Sequence, residues 1–124
     1  MGFHPGFALS FTLPRLIGAQ KAALLLYTGR RINGEEAVRI GLADELASQD
    51  TVRARAQALA NEIALSAPIA VESTRATLRA GLVDAVRAAV EREASEQALH
   101  FQTSDFREGI AATAQRRDPV FQRL

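Results

Sequence analysis

Two groups of glutamates could, by residue type, supply an acid–base pair: Glu35, Glu36, Glu91, Glu93 and Glu96. Neighbouring carboxylates can divide the roles of general acid and general base when their surroundings separate their pKa values. The first two, however, follow Asn33 at the start of a helical segment, where negative charge is favoured. The other three alternate with charged residues on a long predicted helix. We therefore interpret both groups as structural, the second as a solvated charged face.

The other side chains with catalytic or metal-binding chemistry are few. These 124 residues contain no cysteine, which excludes disulfides, thiolate nucleophiles and zinc–thiolate sites among them. The two histidines, His4 and His100, are far apart in sequence, and neither lies within the spacing of a metal-ligand motif. We predict no metal site.

Composition and charge favour one ordinary globular domain. The 124 residues are 48% apolar and 23% charged, close to the globular average, which argues against disorder. The formal net charge is only +1, so no general field attracts nucleic acid or an anionic membrane. We expect neither partner.

A nucleic-acid-binding helical domain is still an alternative, because four arginines lie on predicted helices: Arg75, Arg79, Arg87 and Arg92. The near-zero net charge and the interleaved Glu91 and Glu93 argue against it. No stretch approaches the roughly 18 apolar residues that cross a bilayer. The apolar N-terminal segment lacks a basic n-region and is interrupted by Pro5, so we predict a soluble cytoplasmic protein.

Hydrophobic periodicity and the signals for helix starts and ends predict a mainly α-helical protein of five to six helices with short connections. The predicted helical segments are residues 18–28, 33–41, 50–65, 68–81, 82–102 and 103–117. Asn33 precedes Glu36 by three positions, as in a capping box, Pro68 suits a first helical turn, and Gly81 suits a helix end. Residues 42–46 are expected to form a brief extended segment.

The first sixteen residues do not follow this helical pattern. They are rich in large apolar side chains: Phe3, Phe7, Leu9, Phe11 and Leu13. A natural N-terminus is usually polar and loosely held, so this segment reads as though the chain had been cut within a core. The alternative is an N-terminal arm that folds onto the helices.

Three pairs of stretches resemble the crotonase (enoyl-CoA hydratase/isomerase) family in order and spacing. They are residues 2–6 (GFHPG) with 13–18 (LPRLIG), 26–37 (LYTGRRINGEEA) with 40–44 (IGLAD), and 105–110 (DFREGI) with 116–121 (RRDPVF). Each stretch alone is a weak signal. Together they cover nearly the whole chain, which makes the resemblance specific.

The resemblance implies a fold and a chemistry. Residues 1–124 would form the C-terminal helical layer of a crotonase-like protein, without the family's N-terminal spiral core. Enzymes of this family bind acyl-CoA thioesters and stabilise an enolate with an oxyanion hole of two backbone N–H groups, and hydratases add two glutamates. In the family's pattern all these groups precede Gly2, the second glutamate falling just before Met1. We therefore expect no catalytic residue, and no activity from the chain alone.

The resemblance also implies a set of substrate-binding residues: Phe3, His4, Pro5 and Arg116. The first three match a stretch beside the acyl pocket, and Arg116 matches a basic position that reaches the CoA nucleotide. Arginine binds phosphate bidentately, which suits that role. The alternative for His4 is a structural histidine at the edge of the core, with its hydrogen bonds made within the protein. The alternative for Arg116 is a positive charge at a helix C-terminus. Coenzyme A enters as the thioester substrate, so no separate cofactor is expected.

The resemblance leaves the particular reaction and assembly open. Residues 7–11 lack the Gly-Gly pair usual in the family, so the acyl group is not defined. Hydratase, isomerase, dehalogenase and thioester hydrolase all fit. The helical layer builds trimers in this family, sometimes paired into hexamers, so a homo-oligomer is expected. The alternative from a different class is a non-enzymatic α-helical module that binds a protein partner through an exposed apolar face.

Overall fold

Seven α-helices make up the secondary structure of the computed structural model, which describes residues 2–124. In chain order they are α1 (Leu9–Ile17), α2 (Ala19–Thr28), α3 (Gly34–Arg39), α4 (Val52–Ala64), α5 (Pro68–Leu78), α6 (Leu82–His100) and α7 (Ser104–Gln115). No β-strand occurs within these described residues, so the predicted mainly α fold is confirmed. Residues 42–46 form bends and irregular backbone rather than the expected extended segment. No helix of this described part is long and apolar enough to cross a membrane.

The helix α1 raises the count to one above the expected five to six. Its sequence argues against a helix, because Pro14 lies inside it and removes a backbone donor. The N-cap residue, Ala8, has no side chain that could cap the helix. The helix forms because Leu13 and Ile17 are buried where α1 packs on α2. Tertiary packing, rather than local propensity, therefore explains α1.

The described chain divides into two compact units, of which the first comprises residues 2–31 and Asp84–Leu124. It contains α1, α2, α7 and most of α6. Its buried apolar residues are Ala8, Leu13, Ile17, Ala22 and Ala112. Gly18 connects α1 to α2 at a φ of 82°, a conformation that favours glycine, and its N–H donates to the Pro14 carbonyl at 2.9 Å. This sharp connection lets the two short helices pack on one another.

The second unit, Ile32–Val83, contains α3, α4 and α5. The predicted cap is present, since Asn33 Oδ1 accepts a hydrogen bond from the Glu36 N–H at 2.9 Å. Ile40 is the only buried apolar residue among the described residues 32–83. Large apolar side chains on α4 and α5 stay exposed: Leu59, Ile63, Ile69 and Leu78. The unit therefore has more apolar surface than it can bury by itself.

Candidate functional site

Three polar residues on one side of α6 hold the N-terminal segment in place. Glu93, Gln97 and His100 are spaced by four and three positions, so they lie on the same helix face. Gln97 Nε2 donates to the His4 carbonyl at 2.9 Å, and the His4 N–H donates to His100 Nδ1 at 3.0 Å. Glu93 accepts hydrogen bonds from residues 8 and 10, further along the segment. The path of residues 4–10 is thus set by side chains that are about ninety positions away in sequence.

An aromatic cluster holds the beginning of the same segment. The Phe3 ring centroid lies 5.9 Å from that of Phe101 and 5.7 Å from that of Phe106, the second pair in an edge-to-face arrangement. Phe101 and Phe106 are themselves 4.7 Å apart. These are the distances at which aromatic pairs attract one another. Phe101 therefore packs against other rings.

A cleft of about 830 Å³ lies in the first unit beside this segment. Its walls come from residues 2–5, α1, α2, the turn between α6 and α7, and residues 121–124. The predicted residues Phe3, His4 and Pro5 all line it, together with Leu26 and Tyr27 of α2. Most of the lining is apolar or aromatic, with a few polar groups, which is the usual composition of a small-molecule site.

Hydrogen bonds assign the proton positions of the two histidines that line the cleft. His4 Nδ1 lies 2.8 Å from the Pro5 carbonyl, which can only accept, so Nδ1 carries the proton. His100 Nδ1 accepts from the His4 N–H, so in the neutral ring the proton is on Nε2. That Nε2 lies 3.8 Å from a carboxylate oxygen of Glu96. Neutral His4 consequently has an unprotonated Nε2, which is able to accept a hydrogen bond from a ligand.

Asp105 is the one carboxylate side chain among the described residues that line the cleft. Its Oδ1 accepts from the Gln122 N–H at 2.7 Å and its Oδ2 from the Arg123 N–H at 2.9 Å. Both oxygens therefore hold the C-terminal segment against α7. This pairing places Arg123 in the lining of the cleft, a position that sequence reasoning missed because the contact is not local. The described lining offers no pair of carboxylates for acid–base chemistry.

Glu93 is buried, and its predicted place on a solvated charged face was wrong. Only 1% of its surface is exposed. Glu93 Oε2 accepts from the Ala8 N–H at 2.7 Å, and Oε1 accepts from the Ser10 N–H at 2.8 Å and from Ser10 Oγ at 2.6 Å. Burial by itself raises the pKa of Glu93, but these hydrogen bonds, with a smaller contribution from the charge of His4, hold it below its ordinary value. The structural interpretation of Glu93 holds, but it binds main chain rather than solvent.

The sequence did contain a signal for this burial. Val86 and Ala89 are apolar and precede Glu93 at helical spacing on α6, so an apolar stripe of this helix continues to Glu93. Glu91 lies off that line and is exposed. A charged residue on an apolar stripe indicates a buried partner, here the backbone of residues 8 and 10.

Arg116, the predicted CoA contact, lies apart from the other three site residues. It forms the C-cap of α7 in a left-handed conformation with φ of 54° and is exposed. It is not part of the cleft lining, whereas Arg123 is. The structure thus brings together Phe3, His4 and Pro5 but places Arg116 elsewhere on the first unit.

Arg117, next to Arg116, has a structural partner. Its guanidinium pairs with both carboxylate oxygens of Glu108, and Glu108 also accepts from the Val120 N–H at 2.9 Å. These bonds, chiefly the one from Arg117, lower the pKa of Glu108 to about 2. Glu108 and Arg117 therefore fix the segment that follows α7.

The fold is mainly α-helical, and its first unit contains a cleft with a largely apolar lining. Comparison with known proteins shows the family. The family model for enoyl-CoA hydratase/isomerase matches residues 1–123. The chain belongs to that family, as the sequence resemblance indicated.

Individual relatives agree with this assignment. The chain is 33% identical over 121 residues to a crotonyl-CoA hydratase of Syntrophomonas wolfei, covering 98% of this chain and 46% of that protein. It is 36% identical over 124 residues to the human protein named enoyl-CoA hydratase domain-containing protein 2, mitochondrial, covering 97% and 42% respectively. A solved enoyl-CoA hydratase/isomerase of Pseudoalteromonas atlantica T6c superposes with a TM-score of 0.82 at 29% identity, covering 98% of this chain and 49% of that one. The chain spans about half the length of the relatives it matches.

Proposed function

We propose that this chain forms one wall of an acyl-CoA site, with Phe3 and Pro5 against the acyl group. The observation that carries the proposal is that Phe3, His4 and Pro5, which the family resemblance selects, line the same cleft of about 830 Å³. A volume of this order suits a ligand of drug size. The apolar lining favours an acyl chain, because burying each CH₂ group contributes about 0.8 kcal/mol.

Two arginines are candidates for the phosphates of coenzyme A. Arg123 lines the cleft, so it can reach a nucleotide whose acyl end lies inside. Arg116 carries over from the family pattern, in which the contact often crosses a subunit boundary. Its exposure at the end of α7 suits contact with a ligand held by another subunit. Guanidinium groups bind phosphate bidentately.

In the complete protein we propose addition of water to an acyl-CoA or its isomerisation, through an enolate stabilised by an oxyanion hole. The supporting observation is the family membership of residues 1–123. The described cleft contributes binding and orientation, because its one carboxylate, Asp105, is occupied by main-chain N–H groups. We propose no catalytic residue among residues 1–124 and no cofactor besides the CoA thioester.

A homo-oligomer, a trimer or a pair of trimers, is proposed for the assembly. The exposed apolar faces of α4 and α5 support it, since Ile69 is 83% exposed and Leu78 68% exposed. Contiguous apolar surface of this kind commonly marks an interface. A cytoplasmic location stays a proposal from the sequence, to be tested by cell fractionation of the tagged protein.

A helical protein-interaction module is the second candidate, and a groove in the second unit favours it. The groove has a volume of about 510 Å³ and is lined by Ile63, Ala70, Val71, Thr74, Arg75, Leu78 and Arg79. An amphipathic helix with acidic flanks would match this apolar floor and its two arginines. The two candidates differ in which cleft a ligand occupies.

Calorimetric titration with crotonyl-CoA and with free coenzyme A tests the acyl-CoA proposal. We expect Phe3→Ala to weaken crotonyl-CoA binding several-fold and to leave free coenzyme A nearly unchanged. The matched control is Phe7→Ala, because Phe7 is 97% exposed and lies outside the cleft lining. An equal loss of crotonyl-CoA affinity in Phe3→Ala and Phe7→Ala, or no crotonyl-CoA binding by the unaltered chain, would refute the proposal.

A further inference from the structure

The segment that forms the cleft wall has a backbone conformation that residues with side chains seldom adopt. Phe7 and Ala8 have φ values of 62° and 58°, both in the left-handed region. Two such residues in succession are unfavourable unless surrounding contacts hold them. The N–H of Ala8, the second residue of this pair, donates to Glu93 Oε2 at 2.7 Å. A charge-assisted bond to a buried carboxylate is a strong restraint at this point.

Glu93 also fixes the start of α1. Ser10 donates both its N–H and its hydroxyl to Glu93 Oε1, at 2.8 and 2.6 Å. Negative charge is favourable at a helix N-terminus, where backbone N–H groups are unpaired. The carboxylate thus replaces the side-chain cap that Ala8 lacks. Ser10 and Pro14 of α1 line the cleft, so the start of this helix sets one of its walls.

The restraint extends from Glu93 to the predicted substrate-binding residues. Gln97 and His100 follow Glu93 on the same face of α6 and hold the carbonyl and the N–H of His4. Between these bonds and those of Glu93 lie only residues 5–7. The backbone of His4 and Pro5 is consequently held at both ends by α6.

We propose that Glu93 is a positioning residue for substrate binding: by holding the amides of Ala8 and Ser10, it fixes the N-terminal segment, whose residues 3–5 and 10 line the cleft. The ligand is the acyl part of an acyl-CoA, so the proposal rests on the proposed function. Glu93 acts through the main chain of the segment and does not itself line the cleft.

The test combines hydrogen exchange of the folded chain with a crotonyl-CoA titration of Glu93→Gln. Glutamine keeps the shape but has only one acceptor oxygen, so its NH₂ group faces one of the donors of residues 8 and 10. We expect faster exchange in residues 2–12, with exchange in α2 unchanged. We also expect a loss of affinity of about tenfold, the effect of one charge-assisted hydrogen bond. Glu91→Gln is the matched control, because Glu91 is exposed on the same helix.

Unchanged exchange in residues 2–12 of Glu93→Gln would overturn the proposal. So would equal acceleration throughout α1, α2 and α7, which would indicate general destabilisation rather than positioning. If Glu93→Gln does not fold, the hydrogen exchange of Ser10→Ala decides, since this variant removes only the hydroxyl bond among the contacts of Glu93. That variant is expected to show a smaller change of the same kind, and no change would contradict the proposal. If the unaltered chain does not bind crotonyl-CoA, the proposed function fails, whereas the exchange measurement still decides whether Glu93 fixes this wall.

Discussion

Removal of the Phe106 ring tests whether the aromatic cluster holds the cleft wall. Phe106 contacts Phe3 from the N-terminal segment and Phe101 from the end of α6. Truncating a fully buried phenylalanine to alanine costs about 3–5 kcal/mol. The Phe106 side chain is only half-buried, so we expect Phe106→Ala to lower the free energy of unfolding by about 2 kcal/mol.

A double-mutant cycle isolates the contact that matters for the site. Phe3→Ala and Phe106→Ala are measured singly and together by urea denaturation. Because the two rings meet edge to face, we expect a coupling free energy of about 0.5–1.5 kcal/mol. Phe7→Ala serves as the control, with an effect within about 0.5 kcal/mol, as for an exposed residue. Additive effects of Phe3→Ala and Phe106→Ala would refute the packing of this segment on α7.

Three further results are expected of the chain. Its far-UV circular dichroism should be dominated by helix, and a substantial sheet signal would overturn the fold. Sedimentation should show self-association, because α4 and α5 expose large apolar side chains, and a clean monomer at high concentration would count against it. The free energy of unfolding at acid pH should depend on Glu108. Its pKa is about 2 in the folded chain against an ordinary 4.5, so its contribution to stability is present above pH 4.5 and disappears toward pH 2. Glu108→Gln should therefore flatten the fall of the free energy of unfolding between pH 4.5 and pH 2 in pH-dependent denaturation.

The helices from α2 to α7 could be predicted because their signals are local. Asn33 caps α3 through the Glu36 N–H, Pro68 lies in the first turn of α5, and Thr103 caps α7 by accepting from the Phe106 N–H. Each signal depends on residues within three positions of one another. Sequence reasoning is strongest where the physics is short-range.

Two features could not be predicted because distant residues create them, and a third was missed. The helix α1 contains Pro14 and lacks a side-chain cap, and its start is held by Glu93, which is 83 positions from Ser10 in sequence. The burial of Glu93 was missed because its charge was given more weight than its place on the apolar stripe. The Asp105 carboxylate holds the N–H of Arg123 beside the cleft, although the two residues are 18 positions apart. In each case a carboxylate binds main-chain N–H groups that no local pattern identifies.

The central claim is that acyl-CoA binds in the cleft lined by Phe3, His4 and Pro5. Amide chemical-shift mapping of the isotope-labelled chain during a crotonyl-CoA titration tests it most directly. We expect saturable shifts at Phe3, His4 and Tyr27, with the amides of α4 and α5 unaffected. Shifts confined to the groove around Ile63 and Leu78 would contradict it and favour the protein-interaction module.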